Sequence, residues 1–184
     1  LLSLVTVLFL VASCGGGGGG STSNPPVNNT IISGTAAAGL VRNGTVNVSS
    51  LKADGSVGSQ LLSVSTDANG IYTANIGPYT GPVLVSLTGG TYTDEATGET
   101  RTISSMNPLR AAHHNATGSF NITVTPLTEL AVQKAGLNSL TAATIATANK
   151  LISDIFKVDI IGIQPVAPIA SVMAAAKQEQ RDYT

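Results

Sequence analysis

The chain has no tryptophan, a single cysteine and little charge of either sign. Each scarcity excludes something. One cysteine, Cys14, cannot build an intramolecular disulfide framework. Nine basic residues face ten acidic ones, all scattered, so no basic stripe exists to follow a phosphate backbone. Aromatic residues make up 4 % of the chain, too few for the platforms on which single-stranded nucleic acids stack. Nucleic acid is excluded as a partner on these grounds. The sequence also has no GxxxxGK[ST] or GxGxxG phosphate loop and no GxSxG elbow. It is read as non-catalytic, with no cofactor implied.

Small, β-branched and hydroxylated residues fill the space that charge and aromatics leave, and these suit a pleated, half-solvated sheet surface. From Ile31 the pattern is short alternating runs between turn signals. The runs are Thr45–Leu51, Leu61–Thr66, Ile71–Ile76, Val83–Thr88 and Ser119–Val124, with a hairpin over Thr91–Ile103 whose tip is Asp94 to Gly98. Lys52–Ser59 reads as a loop and Asp67–Gly70 as a turn. Six or seven short strands at period two predict a small antiparallel β-sandwich.

Thr125-Pro126 opens a helical regime. Thr125 suits an N-cap, Pro126 the first helical position, Glu129 the positive end of the dipole, and Gly136 the stop. Leu127, Leu130 and Ala131 form its apolar face. A second helix is expected over Ser139–Phe156, with Ile145, Ala148, Ile152, Ile155 and Phe156 on one stripe. Lys157–Pro168 reads as an extended connector, and a third helix is expected over Ala167–Tyr183. The helical stripes are expected to pack on each other or on further sequence. The chain opens on Leu1 and stops at Thr184 within a helical pattern, and is read as part of something longer.

The N-terminal run LLSLVTVLFLVA carries no charge. As a helix it reaches roughly 18 Å at about 1.5 Å per residue, short of the roughly 30 Å hydrocarbon core. Its length fits the apolar stretch of a signal peptide. Val11-Ala12-Ser13-Cys14 then gives an aliphatic residue, two small residues and a cysteine. This resembles the lipobox of bacterial lipoproteins. The resemblance implies cleavage between Ser13 and Cys14, thioether lipidation of Cys14, and anchoring in a membrane of the bacterial cell envelope. Gly15 after the cysteine points, by the same resemblance, to the outer membrane. Gly15–Asn29 is a Gly/Ser-rich tether ending in Pro25-Pro26, with a mean reach of roughly 20 Å. The organisation expected is therefore a signal over 1–13, lipidated cysteine and tether over 14–30, a sandwich over 31–125 and a helical segment over 126–184.

STDANGIYTANI, Ser65 to Ile76, resembles the carboxypeptidase regulatory-like domain, a transthyretin-like (prealbumin-like) sandwich, through Thr66, Asp67, Gly70 and Tyr72. SGT at Ser33–Thr35 and NGTVNV at Asn43–Val48 fit the same order, while TAAAGLVRNG departs from it. The resemblance implies a non-catalytic module.

Three clusters are candidates for chemistry. His113-His114 could ligate a metal, but no cysteine or carboxylate cluster stands at ligand spacing, and a solvated loop is expected. Asp67, Asn69 and Gly70 lack the further acids of a calcium loop and read as a turn. Asp94, Glu95 and Glu99 read as a solvated hairpin tip rather than a metal site. The leading expectation is a lipid-anchored surface protein that displays or spaces its sandwich, with no metal and no catalytic residue. The alternatives are a glycan- or protein-binding module, for which only Tyr79 and Tyr92 are offered by the loops, and the non-catalytic N-terminal part of a larger secreted enzyme.

Overall fold

A computed structural model describes residues 28–184. The expected signal, Cys14 and all but the last residues of the expected tether lie outside the described residues. Eight strands and four helices follow in order: β1 Ile31–Thr35, β2 Arg42–Leu51, β3 Val57–Ser65, β4 Ile71–Asn75, β5 Gly81–Thr93, β6 Thr100–Ile103, β7 Leu109–Ala116, β8 Ser119–Asn121, α1 Pro126–Ala135, α2 Ala142–Phe156, α3 Ala170–Ala175 and α4 Gln178–Tyr183. The chain is mainly β, with two sheets and C-terminal helices, as the alternation predicts.

The small sheet has the order β4-β1-β8. Its β1–β8 pair is parallel, which departs from the all-antiparallel sandwich expected. The large sheet runs β3-β2-β5-β6, and β7 also pairs with β5. Gly81 to Leu87 of β5 pair with β7, and Gly89 to Thr93 pair with β6, so the two short strands share one flank of a long one.

Between the sheets, Ile32, Tyr72 and Ile122 meet Val46, Val48, Val83, Val85 and Leu87, all buried. The opposite face of the large sheet is buried too. There Leu51, Leu84 and Ala112 meet Val132 of α1, Leu140 of the α1–α2 connection and Ile145 of α2. The molecule therefore has three layers: small sheet, large sheet, helical hairpin. The helices pack on each other, as expected, and also on the sheet.

The motif read as a turn into a core strand is a hydrogen-bonded hub. The buried Thr66 hydroxyl accepts from Gly44 N–H at 2.8 Å and donates to the Val41 carbonyl at 2.6 Å. Asp67 Oδ1 accepts from Asn69 and Ile71 N–H, both at 2.8 Å. Gly70 takes φ +74, where a Cβ would also press on the Ala36 carbonyl oxygen. The buried Tyr72 hydroxyl donates to the Ile122 carbonyl at 2.6 Å and ties β4 to the chain leaving β8.

Several expectations are corrected. Thr30, expected in the tether, is buried and already part of the fold: its N–H donates to Gly77 O and its hydroxyl to Tyr79 O. The loop over Lys52–Ser59 ends early, because β3 starts at Val57. The arm of the predicted hairpin is not a separate strand; β5 continues through Gly89 and Gly90, whose positive φ values of 65° and 68° bend it without ending it. α1 matches its expected signals: Thr125 caps it, Pro126 follows, Glu129 is in the first turn, and Gly136 stops it. Its buried residues are Thr128, Ala131 and Val132, while Leu130 is exposed. α2 begins after Thr141, whose hydroxyl accepts from Thr144 N–H, rather than at Ser139. Ile145, Ala148 and Ile152 are buried, but Ile155 and Phe156, in its last turn, are exposed. The third helix is two. Ala176 and Lys177 are extended, Gln180 Oε1 accepts from Lys177 N–H, and the Arg181 guanidinium covers the Met173 and Ala176 carbonyls.

Candidate functional site

The ends of the sandwich are the places where loops can act, and strand direction sorts them. β5 runs from Gly81 to Thr93, roughly 40 Å at about 3.3 Å per residue. At the Gly81 end lie Thr30, where the chain enters the fold, the β4–β5 loop and the β7–β8 turn: Thr30 N–H reaches Gly77 O, and Ile31 N–H reaches Gly118 O. At the Thr93 end lie the β1–β2 loop, the acidic hairpin tip and the N-terminus of α1, since Ala36 pairs with Val124 and Arg42 with Thr91.

A cleft of about 460 Å³ opens at this second end. The β1–β2 loop gives it Leu40, β5 gives Tyr92, the tip gives Asp94 and Glu95, and α1 gives Leu127. The C-terminal segment closes it with Val166 and Tyr183. Pro126, Pro165 and Pro168 stiffen its wall. Tyr183 is held firmly: its hydroxyl donates to Ile160 O at 2.8 Å and lies 2.8 Å from Thr125 Oγ1. Burial pushes its pKa well above the usual tyrosine value, so it stays neutral.

The tip is organised by its own side chains. Asp94 Oδ1 accepts from Ala96 and Thr97 N–H, both at 3.1 Å, and Arg101 reaches Asp94 at 2.9 Å and Glu99 at 3.2 Å. The Thr97 hydrogen bonds, with Arg101 beside it, hold the Asp94 carboxyl below the usual aspartate range. Glu95 makes no hydrogen bond or ion pair within the described residues. Tyr92 lines the cleft and Tyr79 does not: the Tyr79 hydroxyl donates to the Pro82 carbonyl at 2.8 Å, at the other end of the molecule.

His113 and His114 are not in a solvated loop. They stand on β7, where one extra residue against β5 forms a β-bulge between Gly81 and Val83. The bulge breaks the alternation, so the two imidazoles stack with centroids 4.8 Å apart. His113 also lies 4.7 Å from the Phe120 ring. Its Nδ1 accepts from Asn115 N–H at 3.3 Å, which leaves the proton of the neutral ring on Nε2. Burial, with His114 adding to it, lowers the His113 pKa. A shallow cavity of about 400 Å³ beside the pair is lined by Asn121, Asn149 and Asp159. Asp159 Oδ1 is engaged by the Ile161 and Gly162 N–H groups.

Among the described residues, no group of three or more His, Cys, Asp or Glu is placed to hold a metal ion, and no helix is long and apolar enough to cross a membrane. Ser13 and Cys14, the cleavage and lipidation residues read from the sequence, lie outside the described residues. The sequence pointed to Tyr92, Asp94 and Glu95 one by one. It gave no sign that Leu40, Leu127 and Tyr183, distant in the chain, join them. No protein-family model matches this chain, and no curated protein is significantly similar to it.

Proposed function

We propose that this chain is a non-catalytic, lipid-anchored protein of a bacterial cell envelope that displays a β-sandwich at the end of a short tether. Cys14 carries the acyl chains after cleavage behind Ser13, and the outer membrane is the proposed address. Two or three acyl chains hold firmly where one is marginal, because each buried CH₂ contributes about 0.8 kcal/mol.

One observation supports display most directly. Thr30, where the tether reaches the fold, lies at the opposite end of β5 from the cleft lined by Tyr92 and Glu95. A module hung from Thr30 turns that cleft away from the membrane. The short span of Gly15–Asn29 makes this geometry matter, since a mean reach of roughly 20 Å is shorter than the sandwich.

The test is Cys14→Ser with metabolic labelling by a fatty acid, followed by fractionation. The expected outcome is a labelled protein in the membrane fraction and an unlabelled Cys14→Ser variant released from it. Absence of label from the unaltered protein overturns the proposal.

A further inference from the structure

We infer that the distal cleft takes a basic segment of a partner protein, a lysine or arginine with apolar residues beside it. The inference rests on the reading of the chain as a display module and names what that module meets. Charge argues first. The lining includes Asp94 and Glu95 and no lysine, arginine or histidine among the described residues. The hairpin tip as a whole sets three carboxylates, Asp94, Glu95 and Glu99, against the one guanidinium of Arg101. Arg101 is spent on Asp94 and Glu99, which leaves Glu95 as the tip carboxylate with no partner among the described residues. An acidic ligand meets repulsion there, whereas a cation gains an ion pair and the nearby face of Tyr92.

The walls argue for a polypeptide rather than a small polyamine. Leu40, Leu127 and Val166 line the cleft with Tyr92 and Tyr183. A bare polyamine leaves that apolar surface wet. A peptide with leucine, proline or tyrosine beside its cation covers it. The wall is also preformed. Its prolines have fixed φ, and Tyr183 is tied to Thr125 and Ile160, so little ordering is left for binding to oppose.

The experiment uses the purified full chain carrying Cys14→Ser, ¹⁵N-labelled, and three pools of octapeptides. The pools have arginine, glutamate or alanine fixed at the centre and flanks drawn from proline, leucine, tyrosine and alanine. Spermidine is a fourth probe. The arginine pool is expected to shift the amides of Tyr92, Glu95 and Leu127, and to bind more weakly as salt is raised. Glu95→Lys, at an exposed tip position, is expected to weaken it about tenfold. Equal binding of the glutamate pool, a spermidine effect as strong as that of the arginine pool, or no shift with any probe at millimolar concentration overturns the inference. The unacylated protein is used throughout, so a failure here leaves the acyl-label test of anchoring untouched.

Discussion

At the scale of single residues, the fold depends on a few polar atoms that must be where they are. Tyr72 is buried among apolar side chains, and its hydroxyl has one partner, the Ile122 carbonyl at 2.6 Å. Tyr72→Phe keeps the packing and removes the donor. It is expected to cost about 1–3 kcal/mol, the range for a buried group that loses its partner, measured by urea unfolding. Gly34 sits under the same bond. A Cβ there would stand 1.8 Å from the Ile122 oxygen and 2.9 Å from the Tyr72 ring. Gly34→Ala is therefore expected at or beyond the top of the roughly 1–3 kcal/mol typical of overpacking, and poor yield of folded protein is its readout. These residues were legible in part. The Thr-Asp-x-x-Gly-x-Tyr run announced a turn entering a core strand, but not that Thr66 would bridge Gly44 and Val41 across the chain. His113 was misread because adjacent polar residues look like loop, and only a bulge lets a strand carry both on one side. Its lowered pKa has a signed consequence. Burial and His114 disfavour the imidazolium and Asp159 opposes them weakly, so the folded state binds fewer protons than the unfolded chain. Stability is then complete above the ordinary histidine value of about 6.5 and is lost as pH falls from there through the lower folded pKa. Protonation at Nδ1 also removes the acceptor for Asn115 N–H. Melting temperature followed from pH 7.5 to pH 5 should fall less steeply in His113→Gln than in the unaltered protein; parallel curves would contradict this.

At the scale of elements, the question is why most strands were readable while β1 and β7 were not among the runs read. β2 and β4 have one face in the core and one toward water, so they alternate and were found. β5 and β7 lie between the small sheet and the helices and are buried on both faces: Val83, Leu84 and Val85 are all buried in β5, and Ala111 and Ala112 in β7. Two-sided burial weakens alternation: the Val83–Thr88 run of β5 kept enough of it to be read, whereas the small alanines of β7 leave no strong apolar signature. α1 was recognised by its cap signals and α2 by its apolar stripe, both local, whereas the surface each docks on is not a local property. That docking is fixed by one ion pair. Arg110 Nε and Nη2 on β7 donate to Glu129 Oε2 and Oε1 on α1 at 2.9 and 2.6 Å, with both side chains mostly buried. Asn149 of α2 adds a bond from Nδ2 to the Ala112 carbonyl at 2.9 Å. Removing either partner of the ion pair strands the other in a partly dry site. Arg110→Met and Glu129→Met are each expected to cost about 2–3 kcal/mol. The double variant should cost much less than their sum, since an apolar pair of similar size fits such a site well. A double-mutant cycle by chemical denaturation measures the coupling, and additivity would show that the pair does not hold α1 to β7.

At the scale of the whole molecule, the three layers give rigidity along β5, and under the proposed anchoring that rigidity would turn a tether at one end into an orientation at the other. The small sheet, the large sheet and the helical hairpin share continuous apolar packing: Ile152 of α2 and Ile160 and Ile161 of the connector join the core that contains Ile32 and Val85. The connector is pinned further by Thr123, whose N–H donates to Ile161 O and whose hydroxyl donates to Ile163 O. A load or a contact at the cleft is thus transmitted to Thr30 through packed elements and not through a hinge in the sandwich. If the chain is anchored at Cys14, the two ends differ in height above the bilayer by roughly the length of β5, about 40 Å. The tether alone supplies roughly 20 Å of slack. A fluorophore reports this directly. With Cys14 acylated, a second cysteine is free for labelling at Glu95→Cys, in the cleft, or at Ser119→Cys, beside the chain entry. In vesicles carrying an acceptor-labelled lipid, energy transfer is expected to be strong from position 119 and weak from position 95. Deleting the six glycines Gly15 to Gly20 shortens the slack without touching the fold, so transfer from 119 should rise while that from 95 stays low. Equal transfer from both positions would mean that the module lies on its side, with the cleft as close to the membrane as the tether. Display away from the surface would then be the wrong account of why the acidic end and the chain entry sit at opposite ends of one long strand.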